Sequence, residues 1–151
     1  MYLTKRTHIG AEYKHKDVKG KIEITSCGKP IDIKLERVSN IEEKIGYWRK
    51  ANHIHKWFVE KIQDGEDDCR TAYVSEEKLR ELLADCKKVK ENSKVAEEVM
   101  PTTDGFFFGG TDYDDDYMAD IDYTIKVIED LFAEKGDKEY LGAEIYYHSS
   151  W

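Results

Sequence analysis

Residues 47–58, YWRKANHIHKWF, set two tryptophans, two histidines, an asparagine and an arginine within about three helical turns. At 3.6 residues per turn Trp48, Asn52, His55 and Val59 share one narrow stripe with Ile41, Ile45, Ala51 and Ile62. The spacing predicts one long helix, capped by Ser39 or Asn40, with Glu42 and Glu43 in its first turn and a stop at Gly65. Asn52 and His55 then lie where a core would hold aliphatic side chains. A buried polar group left unanswered costs about 1–3 kcal/mol, so each needs a protein partner or a ligand. For His55 the plain answer is a backbone carbonyl or a sheet tyrosine, and the functional answer is direct ligand contact. Trp48 reads as core, whereas Trp57 points away from the stripe beside Lys50 and Lys61, as an interface or pocket wall would. Arg49, one step off the stripe, is placed to reach a phosphate or carboxylate. His53 and His55 are two apart and cannot chelate one metal as an i, i+4 pair can.

Outward from this helix, residues 21–25 and 31–35 alternate apolar and polar side chains around a turn at Gly28-Lys29-Pro30. With corners at Gly10 and Gly20 they predict a short antiparallel meander. Ser75 caps a second helix whose Leu79, Leu82, Leu83, Cys86 and Val89 form an apolar stripe. Met118, Ile121, Ile125, Ile128 and Phe132 carry a third helix as far as Gly136, and residues 141–147 read as a strand joining the N-terminal sheet. The expected fold is α+β: an antiparallel sheet from N-terminal strands plus a C-terminal strand, packed by three main helices in a single domain, 1–151.

The 151 residues carry a net charge of −8, which argues against duplex nucleic acid, because phosphate contacts need a basic face. Aromatics make up 12% of the chain, too many for a disordered polymer even with 37% charged residues. Cys27, Cys69 and Cys86 are odd in number and form no CxxC pair, as expected of a reducing cytosol. No apolar run approaches the roughly 20 residues of a membrane span, and the expected protein is soluble and intracellular.

The least regular segment is PTTDGFFFGGTDYDDD, residues 101–116. Its glycines let backbone amides point outward and its aromatics offer flat faces, so Phe107, Thr111 and Tyr113 are candidates to stack a base and cradle phosphate. The alternative is a strand with Phe106 and Phe108 on the core face. The run Asp112, Asp114, Asp115, Asp116 fails as a calcium loop, with Tyr117 where glycine is required and Tyr123 where glutamate is required. A helix N-terminus decorated with carboxylates explains the same residues. Neither a cofactor nor a resident metal is expected, and no nucleophile elbow or Cys-His signature marks a catalytic residue.

The segments YWRKANHIHKWF, DDCRTAYVS, GFFFGGTDYDDDY and EIYYHSSW together resemble a family of small proteins encoded mainly by bacteriophages and prophages, over nearly the whole chain. Small acidic phage proteins of this kind are similar to counter-defence factors, one class of which cages a nucleotide-derived immune signal and releases it unchanged. That resemblance implies a homo-oligomeric sponge in the cytoplasm of an infected bacterial host. Its ligand would be of the cyclic nucleotide or ADP-ribose type. Trp48, Arg49, Asn52, His55 and Trp57 from the helix, with Phe107, Thr111 and Tyr113 from the loop, would hold it. Two other readings stay open. One is an acidic inhibitor of a host defence protein, dependent on Asp67 and Asp68; the other is a metal-assisted hydrolase using Asp112, Asp114 and His55.

Overall fold

The structure, a computed structural model, describes residues 1–105, 109–136 and 142–150. The chain runs β1 (Tyr2–His8), β2 (Ile24–Ser26), β3 (Lys29–Ile31), β4 (Asn40–Tyr47), α1 (Asn52–Ile62), β5 (Ala72–Val74), α2 (Glu76–Glu91), α3 (Ala96–Val99), α4 (Asp115–Lys135) and β6 (Glu144–His148). The main sheet is antiparallel in the order β4-β1-β6-β5, and β2 and β3 form a separate hairpin. The fold is therefore α+β, with the C-terminal strand inserted at the centre of the sheet beside β1. Among the described residues no helix is long and apolar enough to cross a membrane.

One core holds the sheet to its helices. Leu3, Ile145 and Tyr147 point from the central strands onto Ile54 and Phe58 of α1, with the Phe58 and Tyr147 rings stacked at 4.0 Å. The stripes of α2 (Leu79, Leu82, Cys86, Val89) and α4 (Ile121, Ile125, Ile128, Leu131) close the other side. Each fully buried Leu or Ile contributes about 1.5–3 kcal/mol of transfer free energy. Ser75 caps α2 as expected, accepting from the Lys78 N–H at 3.2 Å, and among the carboxylates at the start of α4 it is Asp114 that caps, accepting from the Tyr117 N–H at 3.0 Å. Asp115 and Asp116 occupy the first turn of α4, where they complement its dipole.

Three expectations change. The long helix from residue 40 does not form: Asn40–Tyr47 is strand β4, paired with β1, and the helix begins only at Asn52. Long-range partners explain this, since Arg6 binds Glu42 at 2.9 Å and Lys5 lies 3.5 Å from Glu43 across the two strands. Gly46, poor in a helix, is required here because a Cβ would come within 2.8 Å of the Trp48 ring. The N-terminal meander shrinks to a three-residue hairpin outside the main sheet, turning at Cys27 and Gly28, with Ile24 and Ile31 exposed. Trp57 is buried, only 4% exposed, because α2 packs on that side of α1; its Nε1 donates to Asp85 Oδ2 at 3.1 Å. Phe106, Phe107 and Phe108, and Leu141 at the start of the expected last strand, lie outside the described residues.

Candidate functional site

A cleft of about 430 Å³ opens between the β4–α1 turn, the first turn of α1, the loop after α3 and the N-terminal half of α4. Lys50 sits in the turn with φ at +66°, and Arg49 and Lys50 stand exposed at the rim. Among the described residues neither is in an ion pair. Asn52 braces the loop: its Nδ2 donates to the Gly110 carbonyl at 2.7 Å and its Oδ1 accepts from the Thr103 N–H at 3.2 Å. Thr102 Oγ1 donates to the Thr111 carbonyl at 3.0 Å, closing the loop on itself. Gly109, at φ +77°, passes so near Lys50 that a Cβ would lie 3.1 Å from the Lys50 carbonyl oxygen. A side chain there would push the loop off the turn.

The cleft's other wall is carboxylate-rich. Asp112, Asp114, Asp116 and Asp120 all line it, together with Tyr117 and His53. Asp114 is occupied as the α4 cap. Burial, and secondarily the neighbouring Asp116, pushes the Asp120 carboxyl up to about 6. His53 is 3% exposed, and its ring lies 4.0 Å from the Tyr117 ring. Its Nε2 is sealed from solvent without a hydrogen-bond partner. Burial pushes His53 down to about 4, so it is a neutral imidazole near pH 7, able to donate from one nitrogen and accept at the other. Tyr117 is held by its hydroxyl, which donates to the Met100 carbonyl at 2.9 Å, and the Tyr113 ring meets it edge-on at 5.1 Å.

Of the residues singled out in the sequence, Arg49 and Asn52 line the cleft, and Tyr113 and Thr111 belong to the loop beside it. Trp48 is buried beneath, with its Nε1 donating to Thr124 Oγ1 at 2.9 Å, and that hydroxyl donates in turn to the Asp120 carbonyl at 2.7 Å. It supports the wall without reaching a ligand. His55 lies elsewhere: its Nδ1 is 2.6 Å from the Tyr147 hydroxyl and its Nε2 is 3.0 Å from Asp67 Oδ2. It is a core histidine on a sheet tyrosine, the plain answer to its burial, and it does not line the cleft with Asp112 and Asp114. Phe107 falls outside the described residues.

His53, Tyr117 and Asp120 escaped the sequence reading, although Asp116 and Asp120 at i, i+4 necessarily share a face of α4. Among the described residues no group of three or more His, Cys, Asp or Glu side chains is arranged to hold a metal ion. Cys86, whose thiol is pushed up by burial, is inert core. No protein-family model, curated protein or solved structure matches this chain.

Proposed function

We propose that this protein binds a nucleotide-derived small molecule, of the cyclic nucleotide or ADP-ribose type, in the α1–α4 cleft and releases it unchanged. In the phage setting implied by the family resemblance, this is sequestration of a host immune signal in the cytoplasm of the infected cell. The observation that carries the reading is the cleft's polarity. Arg49 and Lys50, in no ion pair among the described residues, face a wall of carboxylates that includes the buried His53 ring. Such a site suits a ligand that is anionic at one end and bears amino and ring N–H donors at the other, as a nucleotide does. Phosphate oxygens would meet Arg49 and Lys50, and the heterocycle would reach Asp116 and Asp120, with the buried His53 ring in the wall beside them. The volume lies within the roughly 300–1,000 Å³ of ordinary ligand sites.

Two of the cleft's polar groups are already engaged within the fold. The Tyr117 hydroxyl is committed to Met100 and the Asp114 carboxylate to the helix cap. The acidic loop on which the protein-inhibitor reading relies is exposed, but its carboxylates are paired within the chain. Asp64, Glu66 and Asp68 surround Arg70 at 3.6, 3.3 and 3.4 Å, and Asp67 holds His55.

The test is thermal shift and mass spectrometry of the full chain against cyclic dinucleotides, cyclic ADP-ribose isomers and ADP-ribose. The expected result is a raised melting temperature with the ligand recovered intact, and loss of the shift in Arg49→Ala/Lys50→Ala. Recovery of a cleaved product, or a shift indifferent to both cations, would contradict the proposal.

A further inference from the structure

The sheet face turned away from the helices is richer in aromatics than a solvated surface needs. Cross-strand pairing sets Tyr47, Tyr2 and His148 in one row, and Tyr146 and Tyr73 in the next. Their rings touch: Tyr2 lies 5.2 Å from Tyr47 and 6.5 Å from His148, and Tyr73 lies 6.0 Å from Tyr146. Tyr73 and Tyr47 are 58% and 49% exposed. Lys44 belongs to the second row, and Glu42, Arg6 and Glu144 form the third.

We infer that this face docks a second copy of the chain, sheet against sheet about a twofold axis. Tyrosine and arginine dominate the energetic centres of protein interfaces, and this face sets five rings and Arg6 among its Thr4, Lys44, Glu42 and Glu144. The charges here are already answered within the face. Arg6 binds Glu42 at 2.9 Å and lies 4.6 Å over the Tyr146 ring, Lys44 lies 4.0 Å over Tyr2, and the Tyr146 hydroxyl donates to Glu144 at 3.0 Å. Covering paired charges costs less than covering free ones.

The rows also complement themselves. The Lys44 row carries a net positive charge and the Glu42–Arg6–Glu144 row a net negative one. A twofold axis between them lays the positive row of each copy over the negative row of the other. Two cations and two anions cancel, so the face is neutral on a chain of net charge −8. A nucleic acid or a strongly basic protein finds no unmatched charge there to recognise. Four strands spaced ~4.8 Å apart and about six residues long span on the order of 400 Å² per copy in projection, in the range of weak, transient interfaces and below that of stable ones. The dimer therefore dissociates on dilution.

Sedimentation equilibrium of the full chain from micromolar to millimolar concentration tests this. The expected result is a reversible monomer–dimer equilibrium across that concentration range. Tyr73→Ser/Tyr47→Ser should weaken it at least about tenfold while the monomer stays folded, since both side chains are largely exposed and each loses one cross-strand ring contact. Lys44→Glu should weaken it as well, and the cleft variant Arg49→Ala should leave it intact. A chain monomeric throughout, a dimer indifferent to the sheet-face changes, or a face that instead retains single-stranded oligonucleotides would overturn the inference.

Discussion

His53 and His55 stand two positions apart on α1, facing nearly opposite directions, and they meet opposite fates. Both are buried, at 3% and 2% exposure. His55 faces β6 and the loop after α1, where Tyr147 and Asp67 meet its two nitrogens. His53 faces α4, where it finds the Tyr117 ring and the cleft but no partner for Nε2. The lesson is that a polar residue in a core becomes structural or available according to what distant segments bring to it. One histidine locks the fold, and its neighbour is left with capacity for a ligand.

The largest effect expected from this contrast is on stability at His55. His55→Ala removes a partner from both the Tyr147 hydroxyl and Asp67 and opens a cavity against the core. A loss of about 3–4 kcal/mol in urea unfolding is expected. A loss under about 1 kcal/mol would show that His55 is not the lock.

Next is the response to acid. His53 is held down at about 4, below its ordinary value of 6.5, so protonation is resisted in the folded state. The folded protein carries no penalty from it above pH 6.5. It loses stability as pH falls from 6.5 to 4, by about 3 kcal/mol in full. His53→Leu should abolish this component, so the stability difference between variant and wild type should grow across that window and be smallest at neutral pH. A constant difference would contradict the assignment.

Smaller still is Asp120, whose carboxyl is raised from 3.8 to about 6. Its ionisation works against folding, a cost absent below pH 3.8 and complete above pH 6. Asp120→Asn should therefore stabilise the protein at pH 7 by about 1–2 kcal/mol, discounted for partial exposure, with the gain vanishing toward pH 4. The same variant should bind ligand more weakly. A residue that costs stability while serving binding is the pattern expected of a functional site.

What the sequence made legible was whatever local periodicity governs. The stripes of α2 and α4, the cap at Ser75, the carboxylate-decorated start of α4, and a C-terminal strand in the sheet all follow from spacing and cap chemistry. Residues 40–47 were illegible because IEEKIG serves a charged helix or a strand equally well. The decision rests with Arg6 and Lys5 on β1, more than 30 positions away. That one misreading displaced the site. A helix running back to Ile41 has its apolar stripe through Asn52 and His55, while the helix that starts at Asn52 is buried on most sides, His53 included. Asp120 was hidden for a related reason: its burial depends on how α4 packs and not on α4's own sequence.

The most direct measurement is an amide and side-chain NMR shift map of the full chain, recorded while titrating the panel compound that gives the largest thermal shift. The account predicts perturbations concentrated at Arg49, Lys50, His53, Gly110 and Asp120, with His55 and Tyr147 unmoved. Perturbations centred on His55 and Tyr147, or none in the cleft at saturating ligand, would contradict it.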